Sequence, residues 1–253
     1  MSAEEDIMMN LPLYAAKQQL RAVIKQRLAL LSSEAILDQS CTIFHSLQGF
    51  KPYQDAQSVS IFLSMPAAEV QTDAIVKHAL SAGKQVYVPY LHKNPVPSAD
   101  TPARVMDMVR LRDVPDYESL KRDKWGIPSI DPGTVHERRR ILGGPDAHKS
   151  DQATLDLILM PGVAFDIDPE NGGVRRLGHG KGFYDYFLHR YALKASSLQP
   201  PASRILLYGL GLTEQYLSES ADESVPVGPY DQPLDGLLLG NGDVKTVPPP
   251  EVD

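Results

Sequence analysis

The chain has 253 residues, a net charge of −7, 42% hydrophobic and 23% charged residues, and a single cysteine. That composition suits a soluble globular enzyme. It rules out an internal disulfide, offers no basic stripe of the kind that binds nucleic acid, and contains no apolar run near the ~20 residues of a membrane helix. The acidic start, Met1-Ser-Ala-Glu-Glu-Asp6, and the lone cysteine point to a cytoplasmic protein without nucleic-acid or membrane partners. Cys41 is expected to be a packed thiol inside a helix.

In chain order, Leu13 to Leu31 carries apolar residues at helical spacing, with Lys17, Arg21 and Lys25 four apart on another face. Read without further context, that basic row is a solvated surface. Ser32 and Ser33 can cap a second helix reaching about Leu47. Val59 to Met65 is a buried-strand pattern. A helix follows from Thr72-Asp73 to Gly83, and Gln85 to Leu91 is the next strand. This βαβ order implies a parallel pairing. Met106 to Leu111, Asp156 to Met160, Arg204 to Leu210 and Asp235 to Leu239 bring the number of strands to about six. Tyr184 to Leu193 is an amphipathic helix. Together they predict a single layered α/β domain with a mostly parallel or mixed sheet between helices. It takes in residues 1–253, with a core at about 13–240, insertions at about 93–104, 131–151 and 166–175, and a tail at 241–253. The cluster His136 to Arg140 reads as a solvated surface run.

The stretch of greatest chemical interest is Arg176-Leu177-Gly178-His179-Gly180-Lys181-Gly182-Phe183-Tyr184-Asp185. Alternating glycines let the backbone approach a ligand. Inward amides beside cations at a helix start suit a phosphate. The spacing matches neither a Walker A nor a Rossmann fingerprint. Asp185 serves either as a charge at a helix N-terminus or as a magnesium ligand, with Asp231 or Asp235 as a second acid.

Several blocks taken together resemble the 5-formyltetrahydrofolate cyclo-ligase family. They are Arg176 to Asp185 preceded by Met160-Pro-Gly-Val-Ala-Phe-Asp166, Lys17-Gln-Gln-Leu-Arg21, Ser60 to Met65 followed by Glu69, Met106 to Arg110, Trp125-Gly-Ile-Pro128, and Asp231 before Asp235. The resemblance covers about residues 13–240. It implies a three-layer α/β/α fold of the sugar-phosphate isomerase and CoA-transferase group. It also implies ATP- and Mg²⁺-dependent conversion of 5-formyltetrahydrofolate to 5,10-methenyltetrahydrofolate, with release of ADP and phosphate after phosphorylation of the formyl oxygen. Lys17, Arg21 and Arg176 to Tyr184 become nucleotide contacts, so the basic row on the first helix turns toward the site. Lys181, Arg176 and Tyr184 become the catalytic residues, and Asp185 and Asp231 the Mg²⁺ ligands. Leu63, Glu69, Met106, Arg110, Trp125, His179 and Phe183 become folate contacts. Folate and ATP are the only partners expected, and the protein is expected to be a monomer.

Two residues depart from the family pattern. His179 stands where the family usually has Arg, which predicts weaker polyphosphate affinity that improves as pH falls toward ~6. Phe183 replaces a Tyr and removes a hydroxyl. The residues between Asp166 and Arg176 read as a loop extension. Two rival functions remain: another ATP-dependent enzyme on the scaffold, and a catalytically weak folate-binding or regulatory protein.

Overall fold

Five apolar runs become the parallel centre of one sheet. A computed structural model describes residues 3–95, 101–143, 152–218 and 223–247, with side chains from residue 11 onward. Parts of the segments expected as insertions at 93–104 and 131–151, and the end of the tail, lie outside the described residues. The chain begins with α1 (Ala3–Leu28), α2 (Ser33–Gln48), α3 (Lys51–Asp55), β1 (Ser58–Ile61), α4 (Asp73–Ser81), β2 (Gln85–Lys93), β3 (Arg104–Arg110) and α5 (Val114–Glu118). It continues through the short pair β4 (Lys121–Arg122) and β5 (Pro128–Ser129), then β6 (Leu157–Met160), β7 (Ala164–Ile167), β8 (Val174–Leu177), α6 (Phe183–Ser197), β9 (Leu206–Gly211), β10 (Gly236–Leu239) and β11 (Val244–Thr246).

The seven-stranded sheet has the order β11-β10-β9-β6-β1-β2-β3. Strands β10, β9, β6, β1 and β2 run parallel. The edge strands β3 and β11 are antiparallel to their neighbours. Strands β1, β6 and β10 are buried along their whole length, as expected for parallel strands covered on both faces. One face carries Leu20, Ile24 and Leu28 of α1, Ile36, Ile43 and Leu47 of α2, and Ile75, Val76 and Ala79 of α4. The other packs Phe187, Leu188 and Tyr191 of α6 on Ile158, Met160, Leu207, Leu237 and Leu239. The three layers are therefore as the sequence predicts.

Two carboxylates align the amino ends of the parallel strands. Asp156 Oδ2 accepts from the amides of Gln57 and Ser58, both at 2.8 Å, tying β6 to β1. Asp235 Oδ2 accepts from Leu207 N at 2.8 Å and ties β10 to β9 in the same way. The Ser32 cap also forms: its hydroxyl accepts from Ala35 N at 3.1 Å.

Several expectations change. Helix α1 starts at Ala3, runs through Pro12, and stops at Leu28, where the amides of Leu30 and Leu31 close a tight turn. Strand β1 leaves the ladder after Ile61 because the Thr72 hydroxyl takes the Phe62 carbonyl (2.7 Å). Residues 166–175, read as a loop extension, include most of the antiparallel hairpin β7–β8. Residues 241–247 do not form a bare tail, since β11 pairs with β10. Cys41 is exposed, because α2 buries the stripe Ile36, Ser40, Ile43 and Leu47 instead. The run His136 to Arg140 is only partly solvated: Arg138 is buried and grips Asp116 through two 2.6 Å bonds, and Arg140 holds the fully buried Asp107 at 2.9 Å.

One aromatic ring fastens the hairpin to the sheet. Phe165 on β7 is fully buried. A Cβ added to Gly162, Gly209 or Gly211 would lie 2.4, 2.7 and 3.1 Å from its ring, so the glycines make the space it fills. Phe165→Ala leaves a cavity that rigid strands cannot close. It is expected to cost about 3–5 kcal/mol in urea unfolding; a loss below about 1 kcal/mol contradicts this packing account.

Candidate active site

In sequence order the parallel strands β1, β2, β6, β9 and β10 lie in the spatial order second, first, third, fourth, fifth. The connections turn to opposite sides between β1 and β6. Such a switch point leaves a crevice at the carboxyl ends of the two strands. The loop after β1 carries Leu63 and Glu69, and the segment after β6 leads through β7–β8 into the glycine stretch.

The glycine stretch is shaped by positive φ at Gly180 (+85°) and Gly182 (+63°), the latter capping α6. Arg21 on α1 donates from Nε to the Gly178 carbonyl at 2.9 Å. A Cβ on Gly180 would stand 3.1 Å from the Arg21 guanidinium, and one on Gly178 would stand 3.0 Å from Arg176 Nη1. The glycines thus let two guanidinium groups lie against the backbone. Lys17, one turn before Arg21, forms an ion pair with Asp231, whose Oδ2 also accepts from Gly228 N at 2.6 Å. The basic row on α1 is therefore not a plain solvated face.

Arg176 holds the cluster together. Its side chain is 6% exposed, donates to the Pro161 carbonyl at 3.2 Å, meets Asp185 Oδ1 at 3.5 Å, and sits 5.4 Å from the Tyr184 ring centroid. Its Nε is enclosed with no partner. Asp185 Oδ1 also faces Gln232 N at 3.4 Å, so Asp185 and Asp231 lie on neighbouring segments. Asp235, the other acid considered, is held by Leu207 N and Arg204 at the opposite end of the strands.

Glu69 closes the far side. Its carboxylate is nearly buried and accepts from Met65 N at 2.8 Å, and its Oε1 is 4.0 Å from His179 Nε2. Burial raises its pKa to about 7, against the opposing pull of the Met65 amide. The Tyr184 hydroxyl is enclosed without a hydrogen-bond partner, and burial raises its pKa, with Arg176 opposing and Glu69 adding to the shift. The His179 pKa is lowered by burial and by the charges of Arg176 and Arg21. More than half of its side chain remains open (56%), so the two cations are the firmer of these causes. The imidazole thus becomes cationic only below its ordinary range, and the expected gain in phosphate affinity moves below pH 6.5 with it.

The structure brings together Lys17, Arg21, Arg176, Gly178, His179, Gly180, Glu69, Tyr184, Asp185 and Asp231. Leu177 is buried beneath the loop, and its carbonyl accepts from Val163 N at 2.7 Å. Lys181 is exposed at the mouth, Gly182 caps α6, and Phe183 packs on the α6 core. Leu63 is buried just past β1. Trp125 is 60% exposed with the Lys124 ammonium over its ring, but the Cβ position of its neighbour Gly126 lies 2.7 Å from Pro66, so it borders the Glu69 loop. Met106 and Arg110 do not join the cluster. Met106 is 2% exposed in the core on the α6 side of the sheet, and Arg110 pairs with Tyr87 two strands away from β1. Sequence reasoning missed the Pro161 carbonyl and the amides of Gly228 and Gln232, since backbone groups carry no residue signature.

A profile of the 5-formyltetrahydrofolate cyclo-ligase family matches residues 14–240. The chain belongs to that family. A 5-formyltetrahydrofolate cyclo-ligase of Mus musculus is 33% identical over 224 residues, covering 88% of this chain and 93% of its own length. A probable 5-formyltetrahydrofolate cyclo-ligase of Schizosaccharomyces pombe is 31% identical over 231 residues, covering 91% and 98%. The solution structure of Aquifex aeolicus 5,10-methenyltetrahydrofolate synthetase shares the fold, with a TM-score of 0.61, 21% identity, and coverage of 94% of this chain and 95% of that one. The family is one of ligases, and the family-matched span includes every residue of the cluster.

The Glu69 shift has a definite sign. An acid whose folded pKa lies near 7 against an ordinary 4.5 binds its proton more tightly when folded, so stability falls as pH rises through that window. Glu69→Gln removes the penalty. The variant is expected to exceed the parent in stability at pH 8, by as much as about 3 kcal/mol, and to lose that advantage by pH 5. Melting curves across pH measure it, and parallel pH profiles contradict it.

Proposed function

We propose that the protein converts 5-formyltetrahydrofolate to 5,10-methenyltetrahydrofolate, with ATP as the second substrate. Family membership supports the reaction class. The observation that carries the reading is the meeting of two unlike halves in one crevice. Arg176, Arg21, Lys17 and the glycine amides form a cationic cradle. The buried Glu69 carboxylate and the unpartnered Tyr184 hydroxyl form a polar pocket beside it. An enclosed hydroxyl without a partner is costly unless a ligand supplies one.

In this reading Arg176, Lys17, Arg21 and Lys181 neutralise the polyphosphate, and Gly178 to Gly182 let it approach the backbone. Phosphoryl transfer depends mainly on such positioning and charge neutralisation. The formyl oxygen takes the γ-phosphoryl group as the bond to ADP breaks. The nitrogen at position 10 then attacks the formyl carbon and gives up its proton, and phosphate leaves with that oxygen. Glu69 accepts from the pterin amino group, Tyr184 donates to the folate, Leu63, His179 and Phe183 line that half, and Trp125 borders it. Met106 acts only as core packing on the α6 side of the sheet.

Asp185 and Asp231 fit Mg²⁺, which takes one or two carboxylates together with phosphate oxygens and water. When bound, the ion would supply charge neutralisation to the transferring group. Among the described residues no third acid, His or Cys joins them. The same proposal takes the protein as a cytoplasmic monomer without nucleic-acid or membrane partners; no described helix is long and apolar enough to cross a membrane.

Mixing protein, ATP, Mg²⁺ and 5-formyltetrahydrofolate is expected to produce the absorbance of the conjugated methenyl product. No rise with every component saturating removes the proposal, and folate binding without turnover favours a regulatory binding protein. Asp185→Asn keeps an oxygen facing Arg176 and is expected to stay folded with a lowered melting temperature, while losing roughly two orders of magnitude in rate, the scale of one well-placed charge. Excess Mg²⁺ is expected to restore part of that rate. Full turnover in the variant reduces Asp185 to a helix-terminus charge.

A further inference from the structure

The loop that presents Glu69 is short, turns back on itself, and carries a non-glycine residue, Ala68, at φ +59°. Such a residue sits in the left-handed region at a cost and stays there only when its surroundings hold it. One side chain supplies most of that hold. The Gln71 carboxamide donates from Nε2 to the Met65 carbonyl at 2.9 Å and to the Glu69 carbonyl at 2.8 Å. Its oxygen accepts from the Ser64 hydroxyl at 3.5 Å. The Gln71 backbone amide is held by the buried Ser40 hydroxyl on α2 (2.9 Å), which in turn donates to the Ile36 carbonyl at 2.6 Å. The Ser64 hydroxyl also accepts from Thr72 N at 3.3 Å.

The Met65 peptide is therefore gripped on both sides. Its carbonyl goes to Gln71, while its amide donates to the Glu69 carboxylate at 2.8 Å. Two carbonyls that would otherwise point apart are drawn onto one NH₂ group, and the carboxylate orientation follows from theirs. The anchor reaches α2, so the aim of Glu69 is set by the helical layer rather than by the loop itself. Glu69 Oε1 is left directed at His179, toward the open crevice.

We propose that Gln71 is a positioning residue for the folate half of the site, acting through Glu69 and not on the nucleotide. This rests on Glu69 being a folate contact, as proposed above. Among the described residues Gln71 makes no hydrogen bond to Arg176, Lys17, Arg21 or the glycine stretch, so its effect is expected on one substrate. An acidic group at this position would set a carboxylate against the two carbonyl oxygens. An apolar group of equal length would leave them without a donor.

The test is steady-state kinetics of the full chain with each substrate varied in turn. Gln71→Met keeps length and partial burial, and Gln71→Glu keeps shape but reverses the donor. Both are expected to raise KM for 5-formyltetrahydrofolate roughly ten-fold or more, with Gln71→Glu the worse, while KM for ATP stays within about two-fold. Ser64→Ala, which frees the carboxamide oxygen and the Thr72 amide but leaves both Gln71 donations in place, is expected to shift the same KM in the same direction by less. It serves if either Gln71 variant melts before assay. An unchanged folate KM in the folded variants overturns the proposal, and so does an equal rise in both KM values, which marks a general loosening of the fold. If the parent itself shows no turnover, the proposed reaction fails instead, and the two outcomes are distinguishable.

Discussion

A single buried guanidinium ties the working end of this molecule together. Arg176 lies near the end of β8, bonds to the Pro161 carbonyl beyond β6, faces Asp185 in the first turn of α6, and lies near the Tyr184 ring. A cation this enclosed is tolerated only with partners, and removing a partner from a buried charge is strongly destabilising. Its neighbours are thus fixed relative to one another by the cost of leaving it unpaired. One nitrogen, Nε, is enclosed and still has no partner.

The sheet gives Arg176 its place. Asp156 and Asp235 lock the amino ends of adjacent parallel strands, and the switch between β1 and β6 opens a cleft at the other end. Phe165 seats the hairpin on three glycines. The hairpin delivers Arg176 and the glycine stretch to the cleft, and α1 crosses from the far layer to add Lys17 and Arg21. Packing that would otherwise be generic thereby sets the distance between a cationic cradle and the buried Glu69. The acids and bases also pair among themselves, Lys17 with Asp231 and Arg176 with Asp185. These two cations are already paired, so a polyphosphate with its metal ion would exchange partners with them, while Arg21, held by the Gly178 carbonyl, has no acid in an ion pair among the described residues.

The layers, the parallel core and most of the cluster were legible in the sequence. The glycine stretch shows its spacing openly, and the fully buried strands β6 and β10 read as apolar runs. What stayed hidden depends on contacts between distant segments. Residues 166–175 of the hairpin looked like a loop because Asp166, Asp168 and Arg175 are polar; Asp166 and Arg175 in fact pair across it at 2.7 Å. Arg138 looked solvated until Asp116, remote in sequence, buried it. Cys41 looked packed because its helix is amphipathic, yet the buried stripe passes through Ser40. Met106 and Arg110 fall in a block with family character, but β3 lies at the sheet edge and holds them away from the cleft. Gln71 gave no signal at all, since it acts on backbone carbonyls.

The claim on which the account stands is that Arg176 and the glycine stretch grip a polyphosphate. Calorimetric titration of Mg²⁺–ATP into the parent and into Arg176→Gln tests it directly, with melting temperature measured on the same samples. The account predicts a folded variant whose dissociation constant rises on the order of 100-fold, the scale of one or two charge-assisted hydrogen bonds. A folded variant that binds Mg²⁺–ATP as tightly as the parent contradicts it.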